Sequence, residues 1–230
     1  MNYAYLYKQI MNLMKRIWLI LALGLGACSA GTATDKLLAE VWERDQSVRQ
    51  QMMALTKAVT VEGRMDLIDS LLAVNELQAR VDAENGAVVD SLLQGGVPEK
   101  LASESYKTIW IVIDHAPLEM QEKYLPLVEQ MATQRLIKAS EYACLFDRVA
   151  MHQNRPQRYG SQSVQFGEPD AMHLYLWPVE DCEKLDALRA EMGMQPLADY
   201  LRQLTEATGH EAIFDPAMTV DELNTLRGKE

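Results

Sequence analysis

Leu145-Phe-Asp-Arg-Val-Ala-Met-His-Gln-Asn-Arg-Pro-Gln-Arg-Tyr-Gly-Ser-Gln162 is the stretch where a helical pattern gives way to a dense run of hydrogen-bonding side chains. Just upstream and into it, Tyr142, Leu145 and Val149 recur at steps of three and four, the period of one helix face. Further along, Pro156 and Gly160 mark a loop that leaves the helix sharply. Everything before this point reads as helix. After it, Ser163-Val-Gln-Phe166 and Met172-His-Leu-Tyr-Leu-Trp177 alternate as strands, with Gly167-Glu-Pro-Asp170 as the turn between them. The fold class is therefore mainly α: a multi-helix orthogonal or bundle-like domain with one small β-hairpin in its C-terminal third.

Toward the N-terminus, Leu38, Val41, Val48, Met52, Leu55 and Val59 keep helical spacing over residues 35–59 once Asp45 is counted among them. Asp45 thus stands where a leucine is expected. A carboxylate in an apolar stripe must be paired, be protonated, or line a wet cavity. Arg49, four residues on, and Gln46 beside it are the local partners; the alternative is a stripe that drifts and leaves Asp45 at its edge in water. After Gly63, the positions Met65, Ile68, Leu71, Leu72, Asn75 and Ala79 trace a second helix. Asp82 and Asn85 read as caps for a short third one, Ala87 to Leu93, which Gly95, Gly96 and Pro98 end.

Ser103 or Ser105 opens the next helix, with Tyr106, Ile109, Trp110 and Ile113 inward and His115 near its end. The helix from Leu118 to Met131 contains Pro126, which predicts a kink or an early start. Lys138 or Ser140 then opens the helix of Cys144, Asp147 and Arg148. Beyond the hairpin, Glu180-Asp181 start a helix that Gly193 caps, Pro196 begins another through Leu204, and the tail after Gly209 holds a short terminal helix.

The first residues are set apart from the fold. Met14-Lys-Arg-Ile-Trp-Leu-Ile-Leu-Ala-Leu-Gly-Leu-Gly-Ala-Cys28 has a basic start and an apolar run, Ile17 to Ala27, too short for the roughly 20 residues a bilayer span needs. Its end, Leu25-Gly-Ala-Cys28, resembles the lipobox of bacterial lipoproteins, which implies that Cys28 is lipidated and becomes the mature N-terminus. More than one acyl chain makes such an anchor stable. The expected organisation is a lipoprotein signal peptide at 1–27, with Met1 or Met14 as initiator, a lipidated tether at 28–34, and a single helical domain at 35–230. Ser29 after the cysteine implies, by the same resemblance, the periplasmic side of the outer membrane.

Loss of residues 1–27 removes Lys8, Lys15 and Arg16 and no acid, moving the formal charge from −11 to −14. A chain this acidic repels phosphate backbones, so nucleic acid is excluded as a partner and the membrane, through the lipid, is the expected one. Cys144 and Cys182 remain, either bridged in an oxidising envelope or free, with Cys144 in an apolar helical pattern.

The segments Asp45-Gln46…Arg49, Asp82…Asn85, Ile113-Asp-His-Ala116, Gln121-Glu-Lys-Tyr-Leu-Pro-Leu127, Asp147-Arg-Val149, Gln157-Arg-Tyr-Gly-Ser-Gln162 and Trp177-Pro-Val-Glu-Asp181, in this order, resemble an uncharacterised bacterial domain-of-unknown-function family of the DUF6624 type. The resemblance runs from about Asp45 to Tyr200. Where the family pattern has Gln-His-Ala-Asp this chain has Asp114-His115-Ala116-Pro117, and where it has Tyr-Gly-Thr-Gln this chain keeps the hydroxyl as Ser161. The resemblance implies a mostly helical fold and brings no activity with it.

Convergence of Asp45, Arg49 and His115 with Tyr159 and Gln162 would make a pocket of carboxylate, guanidinium, imidazole and phenol, suited to gripping a polar ligand or to acid/base work. The candidate binding residues are Asp45, Gln46, Arg49, His115, Asp147, Arg148, Gln157, Tyr159, Ser161 and Gln162. The catalytic candidates among them are His115, Asp45 and Asp147. There is no Gly-x-Ser-x-Gly elbow, phosphate loop or His-Glu-x-x-His pair, and His115, His152, His173 and His210 have no ligand spacing. Neither a metal nor a cofactor is expected. The sequence thus describes a lipid-anchored cell-envelope protein of unknown activity with a polar pocket for a small polar ligand. Two alternatives remain: a hydrolase-like enzyme using His115 with Asp45 or Asp147, and a scaffold whose polar cluster only fixes its packing.

Overall fold

The computed structural model describes residues 32–168 and 171–228. The signal peptide, Cys28 and most of the tether lie outside these residues. The chain builds α1 (Ala33–Thr60), a short 3-10 turn (Met65–Leu67), α2 (Ile68–Leu93), α3 (Ser103–His115), α4 (Leu118–Thr133) and α5 (Ala139–His152). Then follow β1 (Ser163–Glu168), β2 (Ala171–Leu176), α6 (Leu185–Glu191), α7 (Leu197–Thr208), β3 (Ala212–Ile213) and α8 (Val220–Leu226). Among the described residues no helix is long and apolar enough to cross a membrane.

A capping box starts α1: the Asp35 N–H donates to the Thr32 hydroxyl at 3.0 Å, and the Thr32 N–H donates back to the Asp35 carboxylate at 2.8 Å. Asp35 also accepts from the Ala102 N–H at 2.9 Å and the Ser105 hydroxyl at 2.7 Å, which ties the start of α1 to the start of α3. These donors, the Ala102 N–H foremost, hold the Asp35 carboxyl far below its ordinary value of 3.8. A carboxyl with a depressed pKa in the folded state stabilises it fully above the unfolded value and loses that contribution as pH falls below 3.8. Asp35→Ala is accordingly expected to open a stability gap at pH 7 that narrows at pH 3 in urea denaturation. An equal gap at both pH values would refute the assignment.

The buried face of α1 is Leu38, Val41, Asp45 and Val48, and no residue of this helix after Val48 is buried. α2 is one continuous helix, whereas the sequence suggested a break with caps at Asp82 and Asn85. The reason is local. Both side chains face the α1 seam, where Arg49 donates to Asp82 at 2.6 Å and Asn85 donates to the Val41 carbonyl at 3.4 Å, so they serve as interior polar contacts. The buried positions of α2, Asn85, Gly86, Val89 and Leu93, lie in its last three turns. The α1–α2 hairpin therefore meets the core with one end and projects the other, carrying the exposed Met53, Val61, Met65 and Leu72.

α3 is the central rod, packed against α1, α2, α4 and α5. Its Tyr106, Ile109, Val112 and Ile113 join Leu38, Val89, Val128, Met131, Leu145 and Val149 in the main core. Each such fully buried side chain contributes about 1.5–3 kcal/mol. Ala102 rather than Ser103 or Ser105 precedes α3, because the Ser105 hydroxyl is taken by Asp35. α4 carries Pro126 in its interior.

β1 and β2 form the expected antiparallel hairpin, from Ser163 opposite Leu176 to Glu168 opposite Ala171. Two-residue β3 adds in parallel to β2, so the hairpin is part of a three-stranded sheet in the order β1-β2-β3. α6 starts at Leu185, later than Glu180-Asp181, because Asp181 instead accepts from the Lys184 N–H at 3.1 Å in a turn that leads into the helix. Trp177, Val220 and Leu223 form a small core under the sheet, and its indole N–H donates to the Arg155 carbonyl at 2.8 Å.

Candidate functional site

The sequence candidates fall into two clusters on different sides of α3. The first is assembled by α1, α2 and the last turn of α3. Asp45, with 1 % of its surface exposed, receives the His115 ring Nδ1 at 2.9 Å, the Gln46 amide at 2.8 Å and the Arg49 Nε at 3.3 Å. Arg49 spans to Asp82 through its terminal nitrogen at 2.6 Å. Asp45 therefore lies in the apolar stripe and is paired, and α1 is the helix that brings the carboxylate, amide and guanidinium together at i, i+1 and i+4.

Burial pushes the Asp45 carboxyl up, but the His115 hydrogen bond and charge, with Arg49 and Gln46, outweigh it and hold Asp45 below the ordinary carboxylate value. Asp82 goes the other way. Burial raises it, Arg49 and His115 pull it back only in part, and the Asp45 charge adds to the rise. Because Nδ1 faces a carboxylate it carries the proton in the neutral ring, which leaves Nε2 as a free lone pair on a side chain 19 % exposed. Asp82 also lines a cavity of about 380 Å³ between α2 and the α3–α4 turn, together with Gly86, Asp90, Ala116, Met120 and Lys123.

The second cluster is a loop lock. Asp147 of α5 is fully buried and accepts from the backbone N–H of Arg158 at 2.8 Å, Tyr159 at 3.0 Å and Ser161 at 3.0 Å, and from the Ser161 hydroxyl at 2.8 Å. Burial pushes its carboxyl up, and these donors pull against that rise. The carbonyls on the other face of the loop are covered too. Arg189 donates to those of Tyr159 at 2.8 Å and Gly160 at 2.9 Å, and Tyr200 donates to that of Ser161 at 2.8 Å. Gln157 closes the loop on itself, its amide donating to the carbonyls of Gln162 and Trp177 while its oxygen accepts the Gln162 N–H. Gln162 donates to the Cys144 carbonyl at 3.2 Å.

Arg148 points away from Asp147, toward Asp114 of α3, at 2.9 Å. Asp114 and His115 are neighbours on α3 and so diverge by about 100°. One serves α5 and the other α1. α1 and α5 are not packed on each other, and among the described residues no hydrogen bond joins Asp45, Arg49 or His115 to Tyr159 or Gln162. Tyr159 instead packs its ring edge-on against Phe146.

Gly160 in this loop has φ +64, and a Cβ there would meet Leu185 at 3.4 Å. Gly160→Ala is expected to cost about 1–3 kcal/mol from left-handed strain plus crowding. Gly63→Ala, at φ +67 with nothing within 4 Å, should lose less in thermal denaturation. Equal losses would remove Leu185 from the explanation.

The profile of the family of unknown function DUF6624 matches residues 33–212. The chain belongs to this family. No curated protein and no solved structure matches it. The segments that resemble DUF6624 sort by cluster: those of Asp45, Asp82 and His115 meet in the first, and those of Asp147, Gln157 and Trp177 in the second. Asp82 and Asn85 were not among the site residues expected from this DUF6624 sequence. The signal was present, because Ala79, Asp82, Asn85, Val89 and Leu93 keep helical steps straight through the supposed break. Cys144 and Cys182 are both free. Burial pushes the Cys144 thiol up to about 11, which keeps it protonated.

Proposed function

We propose that this DUF6624 protein is a lipid-anchored component of the cell envelope, on the periplasmic side of the outer membrane, that binds a small polar ligand at Asp45, Arg49, Asp82 and His115. One observation carries the reading: a buried carboxylate orients an imidazole at 2.9 Å, beside a second carboxylate that lines a cavity. Buried charge is costly to assemble, and a cluster of four titratable or charged side chains, one of which, Asp82, lines a cavity, has the chemistry of a binding site. The ligand's donors meet Asp82 and its acceptors meet Arg49. The Asp147 lock fixes the loop of Arg158, Tyr159 and Ser161.

Thermal-shift screening of wild type and Asp45→Asn against a panel of small polar metabolites tests this. A compound that raises the melting temperature of wild type and not of Asp45→Asn supports the site; a panel that moves neither protein sinks it and leaves a scaffold. Radiolabelled fatty acid incorporated into wild type and not into Cys28→Ala tests the anchor.

The Asp45–His115 contact also favours a second reading, hydrolase-like acid/base chemistry with His115 Nε2 as the base and Asp45 as its positioning residue. A hydrolytic turnover lost in His115→Ala and showing an altered pH profile in Asp45→Asn would select it.

A further inference from the structure

We propose that Asp45, Asp82 and His115 are the protein ligands of a divalent first-row transition-metal cation, which enters by displacing the Arg49 guanidinium. The inference rests on the reading of this cluster as the binding site and names what sits there first. One carboxylate oxygen from each aspartate and one ring nitrogen of His115 lie within 4.8 Å of one another. Donors around a tetrahedral ion with bonds of about 2.0–2.2 Å stand roughly 3.3–3.6 Å apart, so the set has to draw in by little more than about 1 Å, within the reach of side-chain rotation. Two carboxylates and an imidazole suit zinc, manganese or iron(II) better than magnesium, which prefers oxygen alone and retains its water.

Three helices carry these groups, and Asp82 alone of the three borders the cavity, from which water or the oxygen of a polar ligand would complete the coordination. Arg49 marks where positive charge is stabilised. It is held at Asp82 through a terminal nitrogen at 2.6 Å and more loosely at Asp45 through Nε at 3.3 and 3.4 Å, and with its side chain 21 % exposed it swings out to solvent as the ion takes over Asp82. A second, independent observation lies in the same seam. Asn85, one turn from Asp82 and 1 % exposed, has a side-chain oxygen with no hydrogen-bond partner, while its amide reaches the Val41 carbonyl one turn from Asp45. A buried, unpaired oxygen one helical turn from Asp82 is an acceptor within the same helix pair for a water bound to the cation.

The test is calorimetric titration of ZnCl₂ and MnCl₂ into the full chain, held in detergent and stripped with EDTA, with MgCl₂ as comparison. One ion per chain is expected, with His115→Ala and Asp82→Asn at least tenfold weaker and Arg49→Gln several-fold tighter, since the competing cation is gone. Cobalt(II) bound to wild type should give visible absorption bands that His115→Ala lacks while its far-UV circular dichroism matches wild type, which separates loss of the imidazole from loss of the fold. Uptake by wild type no stronger than by His115→Ala and Asp82→Asn, or weaker uptake by Arg49→Gln, overturns the proposal. The metabolite panel is run with and without the metal. A compound that shifts EDTA-treated protein while no ion binds removes the metal and keeps the ligand site. Metal uptake with a silent panel does the reverse.

Discussion

Asp147→Ala is expected to lose about 3–5 kcal/mol of stability, the scale for removing one partner from a buried charged contact. At about 2–4 °C per kcal/mol for a chain of this size, the melting temperature should fall by roughly 10 °C. The carboxylate is the acceptor for three backbone N–H groups and one hydroxyl. Its removal leaves those donors buried and unpaired, each a penalty of about 1–3 kcal/mol before water re-enters. Asp147→Asn keeps one acceptor oxygen but turns an NH₂ toward N–H groups, so it should fall between the two. Limited proteolysis gives the location: cleavage near Arg155 and Arg158 should appear in Asp147→Ala at temperatures where wild type is intact. A variant within 1 kcal/mol of wild type by urea denaturation, an order-of-magnitude threshold below the usual loss for a buried network, would mean that the loop is held by Arg189 and Gln157 instead.

The second large effect is at Asp45. Asp45→Ala takes the carboxylate from between His115, Arg49 and Gln46, leaving a guanidinium beside Asp82 and an imidazole with no orienting partner. A loss of about 3 kcal/mol is expected in wild type, on the same buried-pair scale. In an Arg49→Met background the loss should be smaller, and the difference, a coupling of about 1–3 kcal/mol, measures the pair itself. Additive losses would place the two side chains in separate interactions and would undo the account of the first cluster. Ligand or metal response should vanish with Asp45 in either background.

Much of the fold was legible because helices announce themselves by period. The stripe through Leu38, Val41 and Val48 and the alternation of β2 needed no tertiary information. Where polar residues sat inside a stripe, the outcome depended on what faced them. Asp45 interrupts an otherwise apolar run and stood out. Asp82 and Asn85 carry the same signal, but they are also good capping residues, and local sequence does not distinguish a cap from an interior contact made across a hairpin. The strand β3 pairs through only two residues, Ala212 and Ile213, too short to show a pattern.

The site divided for a similar reason. Asp45, His115, Asp147 and Tyr159 were each recognisable as polar groups with a purpose, yet whether they share one pocket depends on which side of α3 each element packs. Asp114 and His115, adjacent in sequence, are the residues that decide it.

That adjacency makes α3 behave as an axle with two cranks. Any twist of the rod that draws the imidazole off Asp45 also swings Asp114 on its clasp with Arg148, and so pulls on the helix from which the loop is hung.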